Sequence, residues 1–106
     1  MVKQYEIYWT NLDPTIGSEI KKTRPGVVIS PDELNKHLST VLIAPLTSTV
    51  KNRPYRVRCN VKGKQGEIAL DQIRCIDKSR LIDIIGQLPK DTIQNVKQVI
   101  SEMLVE

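Results

Sequence analysis

The chain has 106 residues, 40% hydrophobic and 26% charged, with 16 Lys and Arg against 12 Asp and Glu for a formal net charge of +4. That length suits a single domain over residues 1–106 and leaves too little chain for two independent cores. No apolar run approaches the ~20 residues that span a bilayer, and the N-terminal MVKQYEIYW lacks the apolar centre of a signal peptide, so a cytoplasmic protein is expected.

From Tyr5 to Leu12 the side chains alternate, with Tyr5, Ile7 and Trp9 on one face and Glu6, Tyr8 and Thr10 on the other, as in a half-buried strand closed by Asp13-Pro14. Pro25–Ile29 and Thr40–Leu46 are short aliphatic runs without helical period and read as buried strands. Between them, Ser30 as N-cap, Pro31 at the first helical position and Glu33 predict one or two helical turns.

Tyr55–Val61 alternates again, with Tyr55, Val57, Cys59 and Val61 towards a core and Arg56, Arg58 and Asn60 on a cationic face. Lys62–Gly66 supplies a turn, and Glu67–Leu70 and Leu81–Leu88 read as two further strands around a polar link. The period then becomes helical. Asp91 and Gln94 form a capping box, and Ile93, Val96, Ile100, Met103 and Leu104 make one apolar stripe over residues 91–105. The predicted fold is mainly β with a C-terminal helix: a small, strongly bent sheet or partly open barrel closed by that helix.

Residues 13–30, DPTIGSEIKKTRPGVVIS, place a carboxylate, two ammonium groups and a guanidinium where a strand begins. Loops anchored by strands commonly carry binding and catalytic groups, and Glu19 and Arg24 could flank one substrate. A solvated hairpin with a surface Glu-Arg pair fits this segment equally well. Cys59 and Cys75 have no neighbouring Cys or paired His, so reduced, partly buried thiols are expected and no metal or cofactor site is read. His37, the only histidine, lies in the helical connection and reads as a surface residue.

Four ordered segments carry a resemblance: YWTNLDPT, GSEIKKTRPGVVIS, VLIAPLTST and GEIALDQIRCIDKSRL. Together they resemble the MazF/PemK (Kid) family of toxin endoribonucleases from type II toxin-antitoxin modules. The resemblance implies an SH3-like barrel, a homodimer, and metal-independent, sequence-specific cleavage of single-stranded RNA such as mRNA. It also implies a cognate acidic antitoxin laid along the RNA-binding surface, which the net charge of +4 suits. Carried over by motif, Arg24, Glu19 and Thr47 become the catalytic set. Asp71 and Gln72 fall at positions used for substrate contact or acid-base work in some members. Other members have Arg two residues before that Asp, where this chain has Ala69; Glu6 and Thr10-Asn11 depart from the common pattern as well.

The implied reaction is attack of a ribose 2'-hydroxyl on the adjacent phosphorus, giving a 2',3'-cyclic phosphate and a 5'-hydroxyl, so DNA is not a substrate. Arg24 suits a non-bridging phosphate oxygen, Thr47 can donate a hydrogen bond, and Glu19 can accept the 2' proton. Lys22, Lys51 and Arg56, with Lys21, Arg53 and Arg58, could track the RNA backbone; Ser18, Ser48, Thr49 and Gln72 could contact base or sugar, and Tyr8 could stack on a base. Two other readings stay open from sequence: a CcdB-like toxin that poisons gyrase, and a simple RNA-binding barrel.

Overall fold

A computed structural model describes residues 1–105. Seven antiparallel strands build one strongly bent sheet: β1 (Glu6–Asn11), β2 (Thr23–Val28), β3 (Thr40–Thr47), β4 (Arg56–Val61), β5 (Lys64–Ala69), β6 (Arg74–Asp77) and β7 (Leu81–Gln87). The short helix α1 (Asp32–His37) joins β2 to β3, and α2 (Lys90–Ile100) closes the chain, continuing as a π turn over Ser101–Val105. The spatial order is β4-β5-β3-β2-β1-β7, with β6 beside the first half of β3. Strand β3 therefore changes neighbour along one edge, from β6 at Thr40–Ile43 to β5 at Leu46–Thr47.

Both faces are buried at the central strands, which is why β2 and β3 read as continuous apolar runs. Val27, Ala44, Leu46, Val57, Ile68 and Leu70 pack with Val96 of α2 on one side. Leu12, Val28, Val41, Ile43 and Ile76 form a second core on the other, with Ile20 and Leu81 against it. Successive side chains of a strand point to opposite faces, so Val27 and Val28 serve different cores.

The hairpin between β4 and β5 is tight. Val61 pairs with Lys64, and the two residues between them, Lys62 and Gly63, have φ of 51° and 78°, the left-handed pair that matches strand twist. The sequence expectation of a five-residue turn shortens to these two. Gly66, the third residue of β5, has a different role: a Cβ there would sit 2.2 Å from the Thr47 carbonyl oxygen, so only glycine lets β5 pass so close to the end of β3.

Four expectations are corrected. Trp9 is 40% exposed and Thr10 fully buried, because the pairing of β1 with β7 shifts register between Ile7 and Tyr8 and again between Tyr8 and Thr10. These bulges break the simple alternation. Strand β6 occupies the link read as polar. Neither predicted cap forms: Pro31 and Pro89 hold the N-cap positions, Ser30 Oγ donates to Asn35 Oδ1 instead, and Asp91 accepts from the neighbouring Thr92 N–H. Tyr55 and Leu104, expected inside, are exposed. No helix among the described residues is long and apolar enough to cross a membrane. Cys59 is buried and Cys75 exposed, both as free thiols, and burial raises the Cys59 pKa.

Candidate active site

Strands β2 and β3 pair as far as Gly26 with Pro45 and then part. Extending that register two residues brings Arg24 opposite Thr47, and the opening between them is the candidate site. A cleft of about 280 Å³ there is lined by Arg24 and Thr47 together with Glu19, Lys21, Lys51, Arg53, Arg56 and Gln72. Five cationic side chains thus converge where Glu19 is the one carboxylate.

The three proposed catalytic residues lie together, each with a local partner. The Arg24 Nε donates to the Lys21 carbonyl at 2.9 Å, which fixes the plane of the guanidinium at the start of β2. Thr47, half-buried at the end of β3, donates its hydroxyl to the Thr49 carbonyl at 3.0 Å. Glu19 accepts from the Ile16 backbone N–H at 2.6 Å, closing a small turn in the exposed loop that precedes Arg24.

That loop is held from below. Gln72, in the 3-10 turn Leu70–Gln72 that follows β5, accepts the Ile20 N–H at 2.8 Å, while the Ile20 side chain packs on the second core. At the stem, Leu12 N–H bonds to the Lys22 carbonyl and Lys22 N–H to Asp13 Oδ1, with Lys22 at a left-handed φ of 72°. Arg74 and Arg80 donate to the Leu12 and Asp13 carbonyls.

The proposed RNA contacts divide among three neighbouring depressions. Ser18, Thr49, Lys51, Arg56 and Gln72 line the central cleft. Lys22 and Ser48 line an adjoining, more apolar pocket of about 370 Å³, which shares Arg24 and Thr47 with the cleft and has Trp9 in its wall. Asp71 opens instead on a third hollow of about 410 Å³, shared with Ser18, Glu19 and Gln72.

Three of these residues, Gln72 on the Ile20 N–H and the pair Arg56 and Asp71, are engaged within the protein. The Arg56 guanidinium grips Asp71 with two hydrogen bonds, Nε to Oδ1 at 3.0 Å and a terminal NH2 to Oδ2 at 3.3 Å, and its side chain is 4% exposed. Its charge is therefore already paired, a correction to its reading as an open phosphate contact. Lys21, Lys51 and Arg53 are the exposed cations of the cleft. Tyr8 is also turned away: its hydroxyl donates to Glu6 Oε1 at 3.0 Å, and burial, with that hydrogen bond and the Glu6 charge, pushes its pKa up to about 12. Trp9 is the aromatic nearer the site. His37, at the end of α1, lines none of the three depressions.

Sequence reasoning missed Glu67. This carboxylate is 1% exposed on β5, between Thr47 of β3 and Arg58 of β4 in one cross-strand row. Burial disfavours its charge, but backbone N–H groups of Lys51 and Asn52 and the charges of Arg56 and Arg58 outweigh that and hold its pKa below the ordinary value. The available signal was a single acid inside the apolar-ended run GEIAL. Among the described residues, no three His, Cys, Asp or Glu side chains converge in a way that could hold a metal ion.

Comparison with known proteins places this geometry. Residues 3–104 match the family of PemK-like, MazF-like toxins of type II toxin-antitoxin systems. Endoribonuclease EndoA of Bacillus subtilis (strain 168) is 30% identical over 106 residues, covering 94% of this chain and 91% of EndoA. The crystal structure of MazF from Deinococcus radiodurans superposes with a TM-score of 0.86 at 26% identity, over 99% of this chain and 97% of that one. A mycobacterial endoribonuclease, solved with its cognate antitoxin, shares the fold at a TM-score of 0.83 and 20% identity, over 99% and 96% of the two chains. With its half-barrel, its closing helix and a match along nearly its whole length, the chain belongs to the PemK-like, MazF-like toxins of type II toxin-antitoxin systems, the endoribonuclease family that includes EndoA.

Proposed function

We propose that this toxin cuts single-stranded RNA at chosen sequences without a metal ion, by attack of a ribose 2'-hydroxyl on the neighbouring phosphorus. The observation that carries the reading is the convergence of Arg24, Thr47 and Glu19 with the exposed Lys21, Lys51 and Arg53 on one cleft.

In this reaction Arg24 holds a non-bridging oxygen of the scissile phosphate. Its Nε stays on the Lys21 carbonyl while the terminal NH2 groups meet the charge that grows on the phosphorane. Thr47 gives a second donor once its hydroxyl turns from the Thr49 carbonyl to the phosphate. Glu19 takes the 2' proton, releasing the Ile16 N–H as the loop closes on substrate; as the 2'-oxygen bonds to phosphorus the P–O5' bond breaks, and water supplies the proton of the departing 5'-hydroxyl. Lys51, Arg53 and Lys21 bind flanking phosphates, and Ser18, Thr49 and Gln72 meet sugar or base edges.

The same surface suits the acidic antitoxin that the resemblance implies, and relatives solved with their antitoxins support that partner. A homodimer is part of the reading. The edge strand β7 leaves Ile82 and Ile84 more than half exposed, apolar surface that a second copy would cover.

The test is incubation of purified protein with a long single-stranded RNA in EDTA, followed by analysis of the new termini. Cyclic-phosphate and 5'-hydroxyl ends are expected. Intact RNA, or cleavage that requires added Mg²⁺, would reject the mechanism.

A further inference from the structure

Glu67 is a buried carboxylate with a specific load. Its Oε2 accepts the Asn52 backbone N–H at 2.8 Å, and Asn52 stands at a left-handed φ of 53° in the loop between β3 and β4. Arg58, paired directly across from Glu67, donates to the Asn52 side-chain oxygen at 2.6 Å. Arg56 lies 3.7 Å from Oε1, which has no hydrogen-bond partner among the described residues. Burying a charge costs more than burying an apolar side chain of the same size, so packing alone gives no reason for a carboxylate here. The residues on either side of the pinned Asn52 are Lys51 and Arg53, both on the cleft. Glu67 itself lines none of the three depressions.

We propose that Glu67 is a positioning residue of the RNA site: by fixing the backbone at Asn52 it sets Lys51 and Arg53 at the mouth of the cleft, and so governs grip on the RNA backbone rather than the bond-breaking step. The proposal rests on the RNA-cleaving reading above. The carboxylate acts through a main-chain N–H, so its effect reaches the substrate as the placement of two cations. Arg24 and the Thr47 main chain, which belong to strand ends, keep their positions when the loop loosens.

The experiment compares wild type with Glu67→Gln on a defined single-stranded RNA, measuring kcat and KM. Equilibrium binding is measured in parallel, across salt concentrations, to the same oligonucleotide with every 2'-hydroxyl methylated. Glu67→Gln is expected to raise KM and Kd roughly tenfold with kcat nearly unchanged, and to lower the slope of log Kd against log salt by about one as a phosphate contact is lost. Lys51→Ala should then add less in the Glu67→Gln background than in wild type, the signature of residues acting together. Unchanged KM, Kd and salt slope, or a fall in kcat at constant KM, would overturn the proposal. Should Glu67→Gln fail to fold, Glu67→Asp keeps the charge but is one methylene too short to reach the Asn52 N–H; a severalfold higher KM at constant kcat supports the proposal, and an unchanged KM overturns it. A wild-type protein that neither cuts nor binds RNA would remove the functional reading and this proposal together, a result separate from a variant that behaves as wild type.

Discussion

Residues 13–22 and residues 48–55 both line the central cleft, but different forces hold them. The first loop is secured at many points: Gln72 on the Ile20 N–H, Asp13 on the Lys22 N–H, Arg74 and Arg80 on carbonyls at its stem, and the Ile20 side chain in the second core. The second hangs mainly from Asn52, between the Glu67 carboxylate and Arg58. The first is thus held by several separate interactions, neutral and charge-assisted, while the second depends on one buried carboxylate whose loss leaves the Asn52 N–H without its acceptor. A site made from two such loops separates two tasks. On the proposed mechanism, the redundant loop leads into Arg24 and carries Glu19, where geometry matters most, and the singly tethered loop carries Lys51 and Arg53, where a phosphate can be met over a range of positions.

Variants can test that contrast. The largest effect is expected at Arg24→Ala, which removes the guanidinium delivered by the first loop: kcat on single-stranded RNA should fall by about 10² to 10³, the loss seen when a preorganised oxyanion donor is removed. A wild-type rate in that variant would mean the chemistry lies elsewhere. Next comes Gly66→Ala, which forces a Cβ to 2.2 Å from the Thr47 carbonyl oxygen. Overpacking of this kind costs about 1–3 kcal/mol, measurable by denaturant unfolding, and the displaced Thr47 should lower kcat as well. Unaltered stability would show that β5 can move away freely.

Gln72→Ala should be milder, near the ~1 kcal/mol of a single neutral hydrogen bond, because Ile20 and the stem still hold the first loop. Its signature is a lower kcat with a rise in KM smaller than the one expected for Glu67. The smallest effect is a pH response. Glu67 has a pKa below its ordinary 4.5 in the folded protein, so the stability it contributes is present above that value and is lost as pH falls through the lower, folded one. Amide exchange at Asn52, corrected for its intrinsic pH dependence, should lose protection in that acid range while Ile20 stays protected. Equal loss at both amides would erase the distinction between the loops.

How much of this was legible in the sequence depends on the range of the interactions involved. Strand β4 could be read because one face is core and the other solvent, with Val57 and Cys59 inside and Arg58 and Asn60 outside. Strand β1 misled because its bulges against β7 are set by a partner about 75 residues away, which no local alternation reveals. Four residues, RCID, are too few to show a period, so β6 was hidden until β3 supplied its partner. Arg24 and Thr47 were visible through the segments that contain them. Glu67 was not, because the role proposed for it depends on β3, β4 and β5 setting Thr47, Glu67 and Arg58 in one row, with the Asn52 N–H bonded to its carboxylate. The pairing of Arg56 with Asp71 was hidden for the same reason.

The run from Gly66 to Gln72 has a consequence for how such a toxin can diversify. Seven residues supply the close approach to Thr47, the tether for one loop, the grip on Arg56 and the tether for the other loop. The exposed positions of the loops carry little of that duty: Ser18 and Lys21 in one, Ser48, Thr49 and Arg53 in the other. New side chains can be tried at those positions while the barrel and the arginine stay in place, so changes in target preference come cheaply in folding terms. A designer wishing to redirect this nuclease would randomise those five positions and leave 66–72 untouched.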